Sequence, residues 1–239
     1  MANEIALVTG GAGALGSAVV RLLAARGERV AIFDSPEARR RAEALVAELG
    51  PGKVTAFFGD LAEKSTWSDG LAAVRAAFGG SPSLAALIAG GWRGGHAIHE
   101  EPDDSIFAAM MRSNAATVNH ALAALLPEMA RAKRGAVVAV GSRAVERPWT
   151  STKASAYAAS KAAAVALIQV AAQEVLADGV RLNAILPSTM DTPANRASMP
   201  QVDPAKWVTV ESAAKVIGFL LSDDAKDISG AAIPVYGRA

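Results

Sequence analysis

The chain reads as an α/β protein: a single domain over residues 1–239, with one doubly wound parallel sheet of about seven strands and helices on both faces. Three observations lead there. Short apolar runs rich in β-branched residues alternate with longer alanine-rich stretches, the rhythm of βαβ units. That rhythm runs through all 239 residues with no internal repeat or low-complexity linker, which favours one domain over two small ones. With 51% hydrophobic residues, the chain has enough apolar surface for a large core.

In chain order, the strand candidates are Ile5 to Thr9, Arg29 to Asp34, Val54 to Phe58, Leu84 to Ala89, Ala136 to Gly141, Val180 to Leu186 and Ala232 to Val235. Each is a short apolar run, as expected of strands covered on both faces. Helices are expected between them over Ala14 to Ala25, Pro36 to Leu49, Lys64 to Ala77, Asp103 to Ala132, Ala154 to Ala177 and Val210 to Ser222. The stretch from Pro187 to Lys206 is the least regular and carries four of the eleven prolines. After a sixth strand, such a loop is placed to act as a substrate lid.

Charge and composition exclude several classes. With 24 basic and 23 acidic residues the net charge is +1, so neither nucleic acid nor an anionic membrane is implied as a partner. Arg39 to Arg41 is a local cluster that reads as a solvated helix face. No apolar run reads as long and uninterrupted enough to span a bilayer. Met1 to Ile5 enters a strand directly, without the basic and apolar regions of a signal peptide. The absence of cysteine removes disulfides, thiolate metal sites and thiol nucleophiles, and a cytoplasmic location is expected. His96 and His99 form HxxH with Glu100 and Glu101 nearby, but the spacing lacks a further ligand and no metal is expected. His120 reads as a core or interface histidine. No G-x-S-x-G elbow occurs, which argues against a serine hydrolase.

Thr9-Gly-Gly-Ala-Gly-Ala-Leu-Gly16 follows the first strand, opens a helix and contains GxGxxG as Gly11, Gly13 and Gly16. Glycines let a backbone turn tightly and approach a pyrophosphate, which then rests on helix N-terminal amides. Asp34, at the end of the second strand, is placed to accept hydrogen bonds from a ribose 2′-OH and to repel a 2′-phosphate. The expected cofactor is therefore NAD(H), with NADP(H) as the alternative. Tyr157 and Lys161 form YxxxK inside a helical run, one turn apart on one face. A cation within about 4 to 6 Å lowers a tyrosine pKa from ~10 by roughly 1 to 3 units, which suits proton exchange during hydride reduction of C=O or C=N.

These residues resemble the short-chain dehydrogenase/reductase family over nearly the whole chain, which implies a Rossmann-type fold. The family's TGxxxGxG maps onto Thr9, Gly10, Ala14 and Gly16, with Ala14 in place of the middle glycine. By this resemblance the cofactor site comprises Gly10, Gly11, Ala12, Gly13, Ala14, Leu15, Gly16 and Asp34. It continues through Asp60 and Leu61 at the adenine and through Ala89, Gly90 and Gly91, a NAG segment without its asparagine. At the nicotinamide end it takes in Tyr157, Lys161, Pro187, Thr189 and Thr192. Pro187 and Thr192 match PGxxxT, with Ser188 where glycine is usual. Tyr157 would be the proton donor, Lys161 the ribose ligand that lowers its pKa, and Asn114 the residue holding a relay water. Ser142 would position the substrate oxygen. It stands further from Tyr157 than the family's serine usually does, so either the loop Arg143 to Ser155 carries an insertion or a hydroxyl such as Thr152 or Ser155 substitutes.

Two segments, Ile88 to Gly95 and Leu186 to Pro200, are similar to those of dihydropteridine reductases, which use NADH to reduce quinonoid dihydropterins. That resemblance implies a flat heterocyclic substrate, with Trp92 and Trp149 as stacking walls beside Ser142. Ser142 together with Asn114 departs from the animal-type pterin enzymes and keeps ketone, quinone or 3-oxoacyl reduction as the alternative. A non-catalytic NADH sensor is the rival of another class, and the intact Tyr157 and Lys161 weigh against it. The family resemblance also implies a homodimer or homotetramer, formed by pairing of the alanine-rich helices that carry Asn114 and Tyr157.

Overall fold

Alternate residues of each central strand face opposite helical layers, and both faces are apolar. In the computed structural model, which describes residues 4–238, this produces one seven-stranded parallel sheet in a three-layer sandwich. Met1 to Asn3, the start of the expected N-terminal strand entry, lie outside the described residues. The strands are β1 (Ile5–Thr9), β2 (Arg29–Asp34), β3 (Val54–Phe58), β4 (Leu84–Leu87), β5 (Gly135–Val140), β6 (Val180–Pro187) and, after the two-residue pair β7 (Met190–Asp191) and β8 (Val208–Thr209), β9 (Ala232–Val235). The main sheet runs β3-β2-β1-β4-β5-β6-β9, and every pairing is parallel.

The helices are α1 (Ala14–Arg26), α2 (Arg39–Leu49), α3 (Lys64–Phe78), α4 (Ser105–Met110), α5 (Thr117–Ala132), α6 (Ser155–Glu174), α7 (Pro193–Ser198) and α8 (Val210–Leu221). Leu7, Phe33, Val137 and Leu182 point to one face and bury Trp67 of α3, Leu125 of α5 and Ile168 of α6. Their neighbours Val8, Ile32, Val138 and Ile185 point to the other and bury Leu23 of α1, Leu45 of α2 and Leu220 of α8. Strands buried on both faces account for the continuous apolar runs in the sequence. Strand order reverses between β1 and β4, and the crevice for a ligand opens at the carboxyl ends there.

Several expected boundaries move for physical reasons. β4 stops at Leu87, short of Ala89, because the amides of Ile88 and Ala89 donate to Thr9 Oγ1 at 2.9 and 3.0 Å and leave the ladder. The helix expected over Asp103 to Ala132 is divided: a π-helical segment, Met111–Ala116, separates α4 from α5. Pro36–Ala38 is a 3-10 turn ahead of α2, and α6 ends at Glu174 with a 3-10 turn at Leu176–Asp178. Within Pro187 to Lys206, the short pair β7 and β8 and the helix α7 give the irregular stretch partial order.

One expectation about membrane spans is corrected. Helix α6, Ser155–Glu174, is long and apolar enough to cross a bilayer, with a mean hydropathy of 1.3. The cause is its alanine content: Ala164, Val165, Ile168, Ala171 and Ala172 are buried in the sheet core, so the apolarity serves packing.

Candidate active site

A cavity of about 1110 Å³ opens over the carboxyl ends of β1, β2 and β4. Gly10, Gly13, Ala14, Leu15, Gly16, Asp34, Asp60, Leu61, Ala89, Gly90, Gly91 and Thr192, all named from the sequence, line it. The glycine loop is built from close backbone contacts. Gly10 sits at φ +64 with Ala89 pressed against it, and a Cβ on Gly16 would collide with the Gly10 carbonyl oxygen. Gly13 caps α1 without a side-chain hydrogen bond, leaving first-turn amides of a 13-residue helix facing the cavity. An N-terminus with uncapped amides and a positive dipole end fits a pyrophosphate.

Gly11 and Ala12 do not line the cavity. Gly11 packs on Ile32, where a Cβ would come within 2.9 Å. Ala12 donates its amide to Asp34 Oδ2 at 2.9 Å, and Ser35 donates to Oδ1 at 2.8 Å, so Asp34 both faces the cavity and holds the loop. Glu37 stands next to Asp34, and its Ser35 hydrogen bond holds it below the ordinary carboxylate range. The arginine cluster divides. Arg39 stacks on Phe58 at 4.2 Å and pairs with Glu43, whereas Arg41 lines the cavity and donates to Ala12 O at 3.3 Å. Arg41 is exposed, as expected of a solvated helix face, and also borders the cavity, where it offers compensating charge.

Beside the glycine loop, the Ala62 amide and then Arg112 hold Asp60 below its ordinary range against partial burial. Arg112 bridges Asp60 and Glu63 at 2.6 Å each and lines the cavity. Sequence reasoning missed it, because it acts through a carboxylate 52 residues away.

Beyond the cavity, the catalytic candidates converge from three elements. Asn114, on the π segment, is buried. Its Oδ1 accepts from the Gly91 amide at 2.9 Å, and its Nδ2 donates to Gly91 O at 3.1 Å and Ser160 Oγ at 2.9 Å. A Cβ on Gly90 would overlap Asn114 Oδ1 and come within 3.3 Å of Lys161 Nζ, which locates all three residues together. Ser160, unremarked in the sequence although it precedes Lys161, ties Asn114 to α6 by accepting from its Nδ2, and itself donates to Tyr157 O at 2.8 Å. Lys161 is buried and donates to Val140 O at 2.8 Å.

Ser142 follows β5 and caps a 3-10 turn, accepting from Ala144 N at 3.2 Å. It also lies close enough to Tyr157 to pull the phenol's pKa down. Thr152 and Ser155, the alternative hydroxyls, are exposed, whereas Ser142 is buried. The expected lowering of the Tyr157 pKa is overturned. Burial pushes the phenol up, and nearby Ser142 pulls it down less. Lys161 is itself pushed down to about 8 by burial. Desolvation outweighs the charge pairing inferred from the one-turn spacing.

Pro187 is buried at the end of β6, Thr189 O accepts from Val208 N at 3.0 Å, and Thr192 Oγ1 caps α7 by accepting from Asn195 N at 3.2 Å. Trp92 and Trp149 are 63% and 70% exposed on loops that border α6. The first loop is tied down where Gly95 N donates to Lys153 O at 2.7 Å. Glu100 of the HxxH region accepts from Ala97 N at 2.9 Å, and no cluster that could hold a metal occurs among the described residues.

Comparison with known proteins places this geometry in a family. The model of the short chain dehydrogenase family matches residues 4–203. The chain is 32% identical over 249 residues to the 2,5-dichloro-2,5-cyclohexadiene-1,4-diol dehydrogenase LinX of Sphingobium indicum, with 99% of this chain and 96% of that protein covered. It is 30% identical over 255 residues to the (3R)-3-hydroxyacyl-CoA dehydrogenase of Rattus norvegicus, with 98% and 95% covered. Both are dehydrogenases rather than pterin reductases. A crystal structure of a short-chain dehydrogenase/reductase family oxidoreductase from Burkholderia thailandensis superposes with a TM-score of 0.85 at 30% identity, covering 99% of this chain and 92% of that one. With its glycine loop, its Tyr157 and Lys161 on one helix and these relatives along its whole length, the chain belongs to the short-chain dehydrogenase/reductase family, oxidoreductases that bind NAD(P)(H).

Proposed function

We propose that the protein interconverts a secondary alcohol and a ketone on a small molecule, using NAD(H), with Tyr157 as proton donor and acceptor. The observation that carries this reading is the clustering of Lys161 and Asn114 around Gly90, on and beside the helix that carries Tyr157, with Ser142 close enough to act on the Tyr157 phenol. When bound, the nicotinamide supplies or accepts a hydride at the carbon of the reacting C–O bond. In reduction, Ser142 orients the substrate oxygen and Tyr157 delivers the proton to it. A phenol raised by burial stays protonated at neutral pH, which suits that direction. Asn114 holds the 90–91 backbone in place, and Lys161 would hold the nicotinamide ribose. Asp34 and Glu37 support preference for an unphosphorylated ribose, while Arg41 in the same cavity is what would tolerate NADPH.

A second reading is reduction of a quinonoid dihydropterin or similar flat heterocycle, and the exposed indoles of Trp92 and Trp149 favour it. Oxidation of a diol or a 3-hydroxyacyl thioester has the support of the named relatives. The test is the initial rate of NADH oxidation with ketones, quinones, a 3-oxoacyl thioester and a dihydropterin generated in situ, beside Tyr157→Phe. Ketone turnover lost in Tyr157→Phe supports the first reading; turnover confined to the pterin replaces it with the second. NADH binding without Tyr157-dependent turnover of any substrate would make the protein a sensor. A homodimer or homotetramer through α5 and α6 belongs to the same proposal, and sedimentation equilibrium tests it.

A further inference from the structure

The segment after β9 touches the loops on both sides of the candidate catalytic pair. Tyr236 OH donates to Glu146 Oε2 at 2.6 Å, and Arg147 lies over the Tyr236 ring at 5.1 Å. Ser188, the residue that departs from the family's usual glycine, donates from its hydroxyl to Tyr236 O at 2.8 Å and from its amide to Val235 O at 3.0 Å. Two residues on, Arg238 N donates to Lys206 O at 3.2 Å. The loop that leaves β5, the stretch that leaves β6 and the far end of that stretch are thus all fastened to Tyr236–Arg238.

Glu146 is one short turn from Ser142. Glu146 N and Arg147 N donate to Arg143 O at 3.2 and 2.9 Å, Val145 N donates to Ser142 O at 3.0 Å, and Ala144 N donates to Ser142 Oγ at 3.2 Å. The Ser142 hydroxyl is in turn a neighbour that acts on the Tyr157 phenol. We infer that Tyr236 is a positioning residue: through Glu146 it holds the 3-10 turn that aims Ser142 at Tyr157 and at the substrate oxygen. The loop between Ser142 and Tyr157 is exposed at Glu146, where Tyr236 holds it, and without that contact its first turn would gain freedom. A misplacement of the orienting hydroxyl is read in kcat, since it costs transition-state geometry more than cofactor binding. This inference rests on the reading of Ser142 and Tyr157 as the proton-handling pair.

The variant is Tyr236→Phe, which removes one hydroxyl and keeps the ring over Arg147. Expected is a fall in kcat of about three- to tenfold, with the KM for NADH unchanged, the size of one hydrogen bond lost. In a Ser142→Ala background the same change has no further effect, and Glu146→Gln, which keeps an acceptor oxygen, restores most of the activity lost in Glu146→Ala. An equal loss with and without Ser142 overturns the inference, since it would mark a merely structural contact. Ser142→Ala without loss overturns the reading beneath it. Amide hydrogen exchange needs no substrate: Ala144 and Val145 exchange faster in Tyr236→Phe, and unchanged protection there also overturns the inference.

Discussion

Over β1 and β4 the cavity wall is backbone, while over β5 and β6 the site is made of side chains. Gly10, Gly13, Gly16, Gly90 and Gly91 line the first place and allow close approach of a ligand to the backbone. Ser142, Tyr157, Lys161 and Asn114 come from three separate elements to meet at the second. A backbone wall is specified by what is absent, a Cβ, and so it is written locally in sequence. A side-chain cluster is specified by tertiary packing, and burial then decides its charges. The difference predicts that substitutions in the first region act on cofactor binding and stability, and those in the second on turnover.

The largest expected effect separates the two. Tyr157→Phe should lower kcat by about 10² to 10⁴-fold while NADH binding, followed by fluorescence titration, stays within about twofold. A parallel loss of NADH affinity would break the division.

Lys161 provides the next test, through pH. Its folded pKa of about 8 lies below the ordinary 10.5, so burying the ammonium costs stability. Below about pH 8 both states are charged and the cost is fully present; between 8 and 10.5 the unfolded chain binds more protons, and stability rises with pH. The full span is about 3 kcal/mol. Urea unfolding of the wild type and Lys161→Met at pH 7.5 and 10 should show the wild type gaining about 2 kcal/mol relative to the variant. Equal pH dependence would mean that Lys161 is solvated.

Gly90→Ala joins the two regions, because its Cβ would overlap the Asn114 amide oxygen that holds Gly91. A destabilisation of about 1 to 3 kcal/mol is expected, together with losses in both NADH affinity and kcat. The smallest effect is at Asp34. Asp34→Ala should raise the NADPH to NADH ratio of kcat/KM by about tenfold and loosen binding of both, since the same carboxylate anchors Ala12 N. An unchanged ratio would sink the ribose assignment.

Legibility follows the same division. Asp34 and the glycine loop could be read because a strand, a tight turn and a helix start are adjacent in sequence, and all seven strands were placed within a few residues. Gly11 and Ala12 belong to that motif yet face away from the cavity, a detail set by Ile32 and Asp34 on the neighbouring strand. Asn114 could be matched to the family but not placed, since a π segment leaves no periodic signature. Ser160 had a local signal, its place beside Lys161, whereas Arg112 had none. The direction of the Tyr157 shift was read wrongly, because spacing on a helix shows which groups are near and not how much water reaches them.

By itself the sequence determined the sheet, the order of its elements along the chain, the glycine loop and the candidate pair Tyr157 and Lys161, because each depends on short-range pattern: apolar period, glycine spacing, one helical turn. The tertiary structure alone decided that Thr152 and Ser155 lie exposed while Ser142 is buried, that Lys161 binds Val140 O, and that the segment after β9 reaches Glu146. Those relations join residues up to 90 positions apart, and only the packed core, which desolvates some groups and brings others together, sets them.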